Sequence, residues 1–273
     1  MTGGALLKAE ATGNDFLVGT GAWAERLAAG GGLVARLCRR RFGIGADGAL
    51  ALFREESAGV RLVYRNADGS EAAFCANGTR CAALVAVERL GMTGRLTVLT
   101  GRGAVPAAVA SGRVVLELAP PEVPPRSVVL AAHGRSWEGT LLTVGVPHLV
   151  VSVEGLDSLD VAGMGPALRS HPALGPEGAN VHFVEAAGPG RIALRSFERG
   201  VEGETLSCGS GAVAAALVAM AGSNTATVGV RTRGGALRVE ALGSPLECGV
   251  RLAGPARIVA AVDPDPALLG PSG

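Results

Sequence analysis

The chain reads CANGTRCAALVAVE at residues 75–88 and CGSGAVAAALVAMA at residues 208–221. Each stretch sets a cysteine before small residues and a Gly-containing turn, then runs into Ala-rich apolar sequence of helical length. The likeness extends upstream. RLVYRNADGSEAAFC (61–75) and ALRSFERGVEGETLSC (193–208) both run strand, polar turn, then a glutamate four residues before the cysteine, Glu71 and Glu204. A weaker echo links GNDFLV (13–18) with ANVHFV (179–184). The pattern reads as one α/β unit made twice.

Length and composition agree with that. A chain of 273 residues suits one large domain or two of half the size. Its hydrophobic content of 48% is ample for a core, but aromatics are only 3%, so packing must rest on Val, Leu and Ala. Lys+Arg 25 against Asp+Glu 24 leaves a net charge of +1, and RRR at 39–41 is the longest basic run. Nucleic-acid and membrane-surface partners usually exploit a one-signed excess that is missing here. The first ten residues lack a charged segment followed by an apolar one, and no apolar run reaches the roughly 20 residues of a membrane-spanning helix. A soluble, cytoplasmic protein is expected, with no nucleic-acid or membrane partner and a homodimer left open.

Short strands are expected at 60–64, 96–100, 114–118, 141–146 and 192–197, and helices at 22–29, 33–40, 77–90, part of 156–171, and 210–220. APPEVPP at 119–125 reads as a linker, because proline cannot donate within a sheet. That places one domain at 1–118 and a second at 119–256. RIVAAV at 257–262 is strand-like and is free to return to the first, ahead of a disordered-looking tail at 263–273.

The five cysteines, Cys38, Cys75, Cys81, Cys208 and Cys248, are an odd number without CxxC spacing, so neither a zinc motif nor a disulfide framework is indicated. Taken singly, a cysteine beside an Ala-rich helix reads as a small buried hydrophobe, and Cys38, Cys81 and Cys248 are read so. Cys75 and Cys208 sit where a strand and turn hand over to a helix, near unpaired N–H groups that favour a thiolate and can hold a carboxylate. Two such thiols suit one chemistry: one removes the proton α to a carboxylate and the other returns a proton to the opposite face. The pyridoxal phosphate route needs a Schiff-base lysine, and the only lysine, Lys8, lies in a strand-like segment far from any phosphate motif. A reaction without cofactor or metal is expected.

GNDF (13–16), RFGIGADG (41–48), NADGSEAAFCANGTRC (66–81), PH (147–148) and ERGVEGETLSCGSG (198–211) together resemble the diaminopimelate epimerase family, in order along nearly the whole chain. The resemblance implies two pseudo-symmetric α/β domains, each a mixed, mainly antiparallel sheet wrapped around a central helix, with the active site in the cleft between them. It implies Cys75 and Cys208 as the two bases that interconvert LL- and meso-2,6-diaminoheptanedioate, a step of lysine biosynthesis. It further implies that Ala76, Asn77, Gly209 and Ser210 hold the reacting carboxylate. Asn14, Asn66, Asn180, Glu198 and Arg199 are implied as substrate contacts, and His148 and Glu198 as groups whose charge tunes the thiols.

The chain departs from the common pattern at three places: Ala76 stands for a frequent glycine, Val146 for a frequent asparagine, and Gly48 for an occasional glutamine. Val146 motivates the alternative of a related racemase of the same fold, of the histidine or hydroxyproline type. A switchable Cys75–Cys208 disulfide is the reading from a different class, though no resolving-thiol motif supports it.

Overall fold

The computed structural model describes residues 4–55, 59–223 and 225–270. The chain divides into two compact units, Met1–Leu116 with Gly254–Gly273, and Glu117–Ala253. In the first, β1 (Leu6–Ala11) and β2 (Asn14–Thr20) form a hairpin whose turn residues Thr12 and Gly13 have φ of 51° and 83°. Helices α1 (Ala22–Ala29) and α2 (Gly31–Cys38) lead to β3 (Gly48–Glu55), parallel to β2. β4 (Gly59–Asn66) runs antiparallel to β3, and the short β5 (Glu71–Ala72) folds back on β4. Then comes α3 (Ala76–Leu90), after which β6 (Arg95–Thr100) returns parallel to β4. β7 (Gly103–Ala110) and β8 (Arg113–Leu118) finish a meander.

The second unit repeats the plan. β9 (Val123–Ala132), β10 (Arg135–Val144) and β11 (Val146–Ser152) are antiparallel in sequence. α4 (Val161–Arg169) precedes β12 (Asn180–Ala186), which is parallel to β11, and β13 (Arg191–Glu198) is antiparallel to β12. β14 (Gly203–Thr205) folds back on β13 and leads into α5 (Gly209–Ala221). β15 (Thr227–Thr232) runs parallel to β13, followed by β16 (Gly235–Ala241) and β17 (Val250–Pro255). The chain then supplies β18 (Arg257–Val262), antiparallel to β1, and a single turn, α6 (Pro266–Leu269).

Read across each sheet, the orders β18-β1-β2-β3-β4-β6-β7-β8 and β9-β10-β11-β12-β13-β15-β16-β17 carry the same succession of parallel and antiparallel neighbours. The fold is therefore a duplicated mixed sheet, largely antiparallel, around a central helix. α3 packs against β1, β2, β3, β4, β6, β7 and β18, and every residue from Ala76 to Ala86 is buried. α5 is enclosed likewise by β10, β11, β12, β13, β15 and β16. Helices enclosed in this way are mainly apolar around their buried turns, which explains the Ala and Val runs of both stretches, with Asn77, Thr79 and Arg80 as buried polar residues of α3. The outer faces are covered by α1 and α2 in one unit and by α4 in the other.

Several expectations are corrected. The run at 141–146 is two strands: Gly145, at φ 76°, turns the chain so that Val144 pairs with Val146. Prolines do enter the sheet at the end of the supposed linker, because Val123 pairs with Thr143 and Arg126 with Leu141. Pro124 and Pro125 thus oppose Leu142 alone, a bulge that needs no donor from either proline. The helix expected at 33–40 is Gly31–Cys38, and that within 156–171 is a 3₁₀ turn, Leu156–Ser158, followed by α4. The tail is ordered through α6, where Arg36 donates to the Leu268 and Leu269 carbonyls; residues 271–273 lie outside the described residues. Cys38 and Cys81 are buried as expected, but Cys248 is only half-buried. β12 answers to β3 in the duplicated topology, so the echo of 13–18 in 179–184 does not mark equivalent strands.

α4 lies so close to β13 that a methyl at Gly165 would overlap the Phe197 ring. Gly165→Ala should lower unfolding free energy by about 1–3 kcal/mol, read as a lower denaturant midpoint at constant slope; an unchanged midpoint would contradict this packing.

Candidate functional site

Both singled-out cysteines are the residues that start the enclosed helices. Cys75 is the N-cap of α3, with φ −147° and ψ 116°, and Cys208 that of α5, with φ −106° and ψ 112°. The first intrahelical bonds run from Thr79 N–H to the Cys75 carbonyl at 2.8 Å and from Ala212 N–H to the Cys208 carbonyl at 2.9 Å. The amides of Ala76 and Asn77, and of Gly209 and Ser210, therefore stand ahead of the helical ladder. Ala76 takes its place in the first turn of α3 without a positive φ, so its methyl is accommodated.

In the first unit, Gly78 N–H reaches the Cys75 sulfur at 3.4 Å, and the sulfur lies 3.7 Å from Asn14 Oδ1. Asn77 Nδ2 donates to the same Asn14 oxygen at 3.2 Å, while Asn14 Nδ2 donates to Asp47 at 2.8 Å. Asn14, Cys75, Ala76 and Asn77 thus form one cluster. Beneath it lies Arg80, fully buried, which donates to Asn77 Oδ1 at 2.9 Å and to Thr12 Oγ1 at 3.1 Å. Its Nη1 has no hydrogen-bond partner among the described residues. Asn66 serves a neighbouring turn: its amide donates to Ser70 Oγ at 3.1 Å and shapes the turn between β4 and β5. Gly48 heads β3, where a Cβ would come within 2.5 Å of the Arg65 carbonyl, so the strand pairing itself excludes a side chain there. Lys8 in β1 is ion-paired with Asp15 at 2.6 Å.

In the second unit, the strand ladder aligns His148 with Asn180, and Val181 opposite Phe197 puts Asn180 opposite Glu198. His148, Glu198 and Cys208 converge there. Glu198 accepts from Thr205 Oγ1, and Cys208 Sγ lies 3.8 Å from Ser210 Oγ. Asn180 Oδ1 accepts the backbone N–H of Arg199 at 2.8 Å, holding the start of the β13–β14 turn. The Arg199 guanidinium pairs with Glu177 at 2.7 Å.

The electrostatics overturn two expectations. Burial pushes the Cys208 thiol well above its ordinary pKa, and the neighbouring Glu198 charge adds to the rise; the Gly211 N–H and the Ser210 hydroxyl only partly offset them. A helix start alone does not make a thiolate when the sulfur is out of water. His148, in turn, is pushed down to about 4 by burial, so it is neutral near pH 7 and cannot tune the sulfur by charge.

His148 belongs to a chain of hydrogen bonds that the sequence reading missed. Its Nε2 faces the Val144 carbonyl at 3.3 Å, its Nδ1 lies 2.8 Å from His182 Nε2, and His182 Nδ1 lies 2.8 Å from Ser196 Oγ. A carbonyl only accepts, so His148 carries its proton on Nε2; its Nδ1 then accepts from His182 Nε2–H, and His182 Nδ1 accepts from Ser196. Burial, with His148 alongside, holds His182 well below its ordinary pKa. A methyl on Gly211 would overlap the His182 ring, so the imidazole lies directly on the first turn of α5. The signal for His182 was present in ANVHFV: it lies two residues beyond Asn180 on one strand, hence on the same face.

These surroundings order the thiols by reactivity. Near neutral pH, a small alkylating reagent should modify the half-buried Cys75 and Cys248 first, with Cys208 slow and accelerating as pH rises. Cys38 and Cys81 should react only after unfolding. Peptide mass mapping over time reads the order, and modification of Cys208 before Cys75 would contradict it.

Comparison with known proteins places the chain. The family model described as diaminopimelate epimerase matches residues 6–119 and 140–259. A diaminopimelate epimerase of Gemmatimonas aurantiaca is 38% identical over 236 residues, covering 84% of this chain and 84% of that protein. One from Desulforudis audaxviator is 38% identical over 273 residues, covering 92% of this chain and 96% of the other. Among solved structures, a PhzF-family protein of Enterococcus faecalis has a TM-score of 0.69 at 17% identity, covering 94% of this chain and 97% of its own. A hydroxyproline epimerase of Agrobacterium vitis has a TM-score of 0.68 at 15% identity, with 98% and 94% covered. At such identities the two structures speak for the fold alone. Sequence identity across most of the chain goes further: the protein belongs to the diaminopimelate epimerase family.

Proposed function

We propose that the protein is an isomerase that epimerises LL-2,6-diaminoheptanedioate to the meso form, with Cys75 and Cys208 addressing opposite faces of one α-carbon. The observation that carries this is the placement of both cysteines as N-caps of equivalent enclosed helices in a duplicated fold. The substrate identity rests on the family. In the direction where Cys75 is the base, its thiolate takes the α-proton and Cys208, held as the thiol by burial and Glu198, supplies the other. The reverse direction exchanges these roles. Charge that develops on the α-carboxylate during proton transfer meets the amides at positions 76, 77, 209 and 210, donors fixed in place before the reaction begins.

Asn14 bridges Cys75 and Asn77, so it can hold both the base and a carboxylate donor. Asn180 and Arg199 fix the backbone beside Glu198, and Asn66 the turn ahead of Cys75. We read these three as shaping the end of the substrate that does not react. The racemase alternative has less support, since the curated relatives at 38% identity are diaminopimelate epimerases whereas the hydroxyproline epimerase is only 15% identical.

Incubation with the LL isomer in deuterated water should give meso product carrying deuterium at the inverted α-carbon; product without it would overturn the mechanism. Cys75→Ala and Cys208→Ala should each lower kcat/KM by at least about 10²–10⁴-fold, whereas Cys81→Ala, inside α3, should leave it nearly unchanged.

A further inference from the structure

One ring nitrogen each from His148 and His182 and the sulfur of Cys208 lie within 4.8 Å of one another, all buried. His148 Nε2 is committed to Val144 and His182 Nδ1 to Ser196, so the nitrogens a cation could take are His148 Nδ1 and His182 Nε2, now hydrogen-bonded to each other at 2.8 Å. No carboxylate is hydrogen-bonded to either ring among the described residues, and the hydrogen bonds run through both rings as neutral imidazoles, the form that binds metals.

The duplicated fold provides an internal control. The ladder that aligns His148 with Asn180 in the second unit aligns Phe16 with Gly48 in the first, so His148 answers to Phe16 and His182 to Leu50. Phe16 and Leu50 are fully buried, and a Cβ on Gly78 would lie 3.5 Å from the Phe16 ring and 3.1 Å from Leu50. Gly78 stands three residues after Cys75 as Gly211 does after Cys208. The same slot beneath the helix start is thus filled by hydrocarbon in one unit and by two imidazoles in the other. Packing alone does not call for the imidazoles.

We propose that His148, His182 and Cys208 form a binding site for a borderline-soft divalent cation, zinc(II) foremost, that captures Cys208 and so silences the protein reversibly. Two nitrogens and a thiolate are the donors such an ion prefers, while Mg²⁺ and Ca²⁺ require oxygen. Zn–N bonds of about 2.0–2.1 Å place tetrahedral nitrogens about 3.3 Å apart, so the two rings need separate by only about 0.5 Å. On binding, the Cys208 S–H bond breaks, a Zn–S bond forms and one proton leaves to solvent. His182 moves its proton from Nε2 to Nδ1, where Ser196 turns its hydroxyl to accept it, and His148 keeps its proton on Nε2, donated to the Val144 carbonyl. Both outer partners are therefore already in place. The charge of Glu198 beside the sulfur offsets that of the bound ion. The three ligands come from β11, β12 and the start of α5, which is why no spacing motif announced them.

The consequence for turnover rests on the proton-transfer role of Cys208, but binding is read without substrate and stands apart from it. Chelator-treated protein is titrated with Co²⁺, watching for tetrahedral d–d bands and a thiolate-to-cobalt charge-transfer band, and with Zn²⁺ against a chromophoric chelator. One ion per chain is expected, with one proton released. The charge-transfer band should vanish in Cys208→Ser and persist in Cys75→Ser. His182→Leu installs the residue that packs in the first unit and should weaken zinc binding at least tenfold; His182→Gln, a polar replacement, should show the same loss if the leucine variant does not fold. Absence of the band, its loss in Cys75→Ser instead, or unchanged zinc affinity in the His182 variants would overturn the site.

Discussion

Enclosing a helix inside a sheet creates a problem of supply. The first amides of any helix have no carbonyl behind them, and at a surface water satisfies them. α3 and α5 have strands on every side, so their first turns must find acceptors within the protein or in whatever it binds. A cysteine N-cap answers part of the need, since the Cys75 sulfur takes the Gly78 amide. A carboxylate is the natural occupant of such a position. Small residues at 76, 78, 209 and 211, and the scarcity of aromatics, follow from the same enclosure, because neither sheet could close around bulkier helices.

Much of this was legible because the duplication wrote it twice. The two cysteine stretches fixed the central helices, and Gly and Pro marked most strand ends. Where the reading failed, tertiary pairing had overruled local preference: Gly145 split one apolar run into a hairpin, and a bulge admitted Pro124 and Pro125. Arg36 ordered a tail whose composition gave no reason for order. These depend on partners distant in sequence.

The site was legible in its residues and not in its electrostatics. Cys75, Asn14 and Asn77 lie in one hydrogen-bonded cluster, but the state of a thiol depends on what surrounds it. A helix start pulls Cys208 toward the thiolate, and burial beside Glu198 pulls harder the other way. His148 was read as a charge and proves to be a neutral link in a chain of hydrogen bonds ending at Ser196. Arg80, a motif residue without an assigned role, turns out to anchor Asn77 from below. Burial decided each of these, and no spacing rule encodes it.

The two sheets are matched strand for strand, yet they are assembled from the chain differently. The second unit is built from one uninterrupted segment, Glu117–Ala253, whereas the first takes its outermost strand, β18, from residues made after that segment is finished. On a ribosome, the second sheet can therefore close while the first still lacks the neighbour of β1, leaving the Leu6–Ala11 edge unpaired on that side until residues 257–262 have emerged. The order of birth gives the twin units unequal exposure to chaperones and to misassociation, an asymmetry in time that the symmetry of the finished fold conceals.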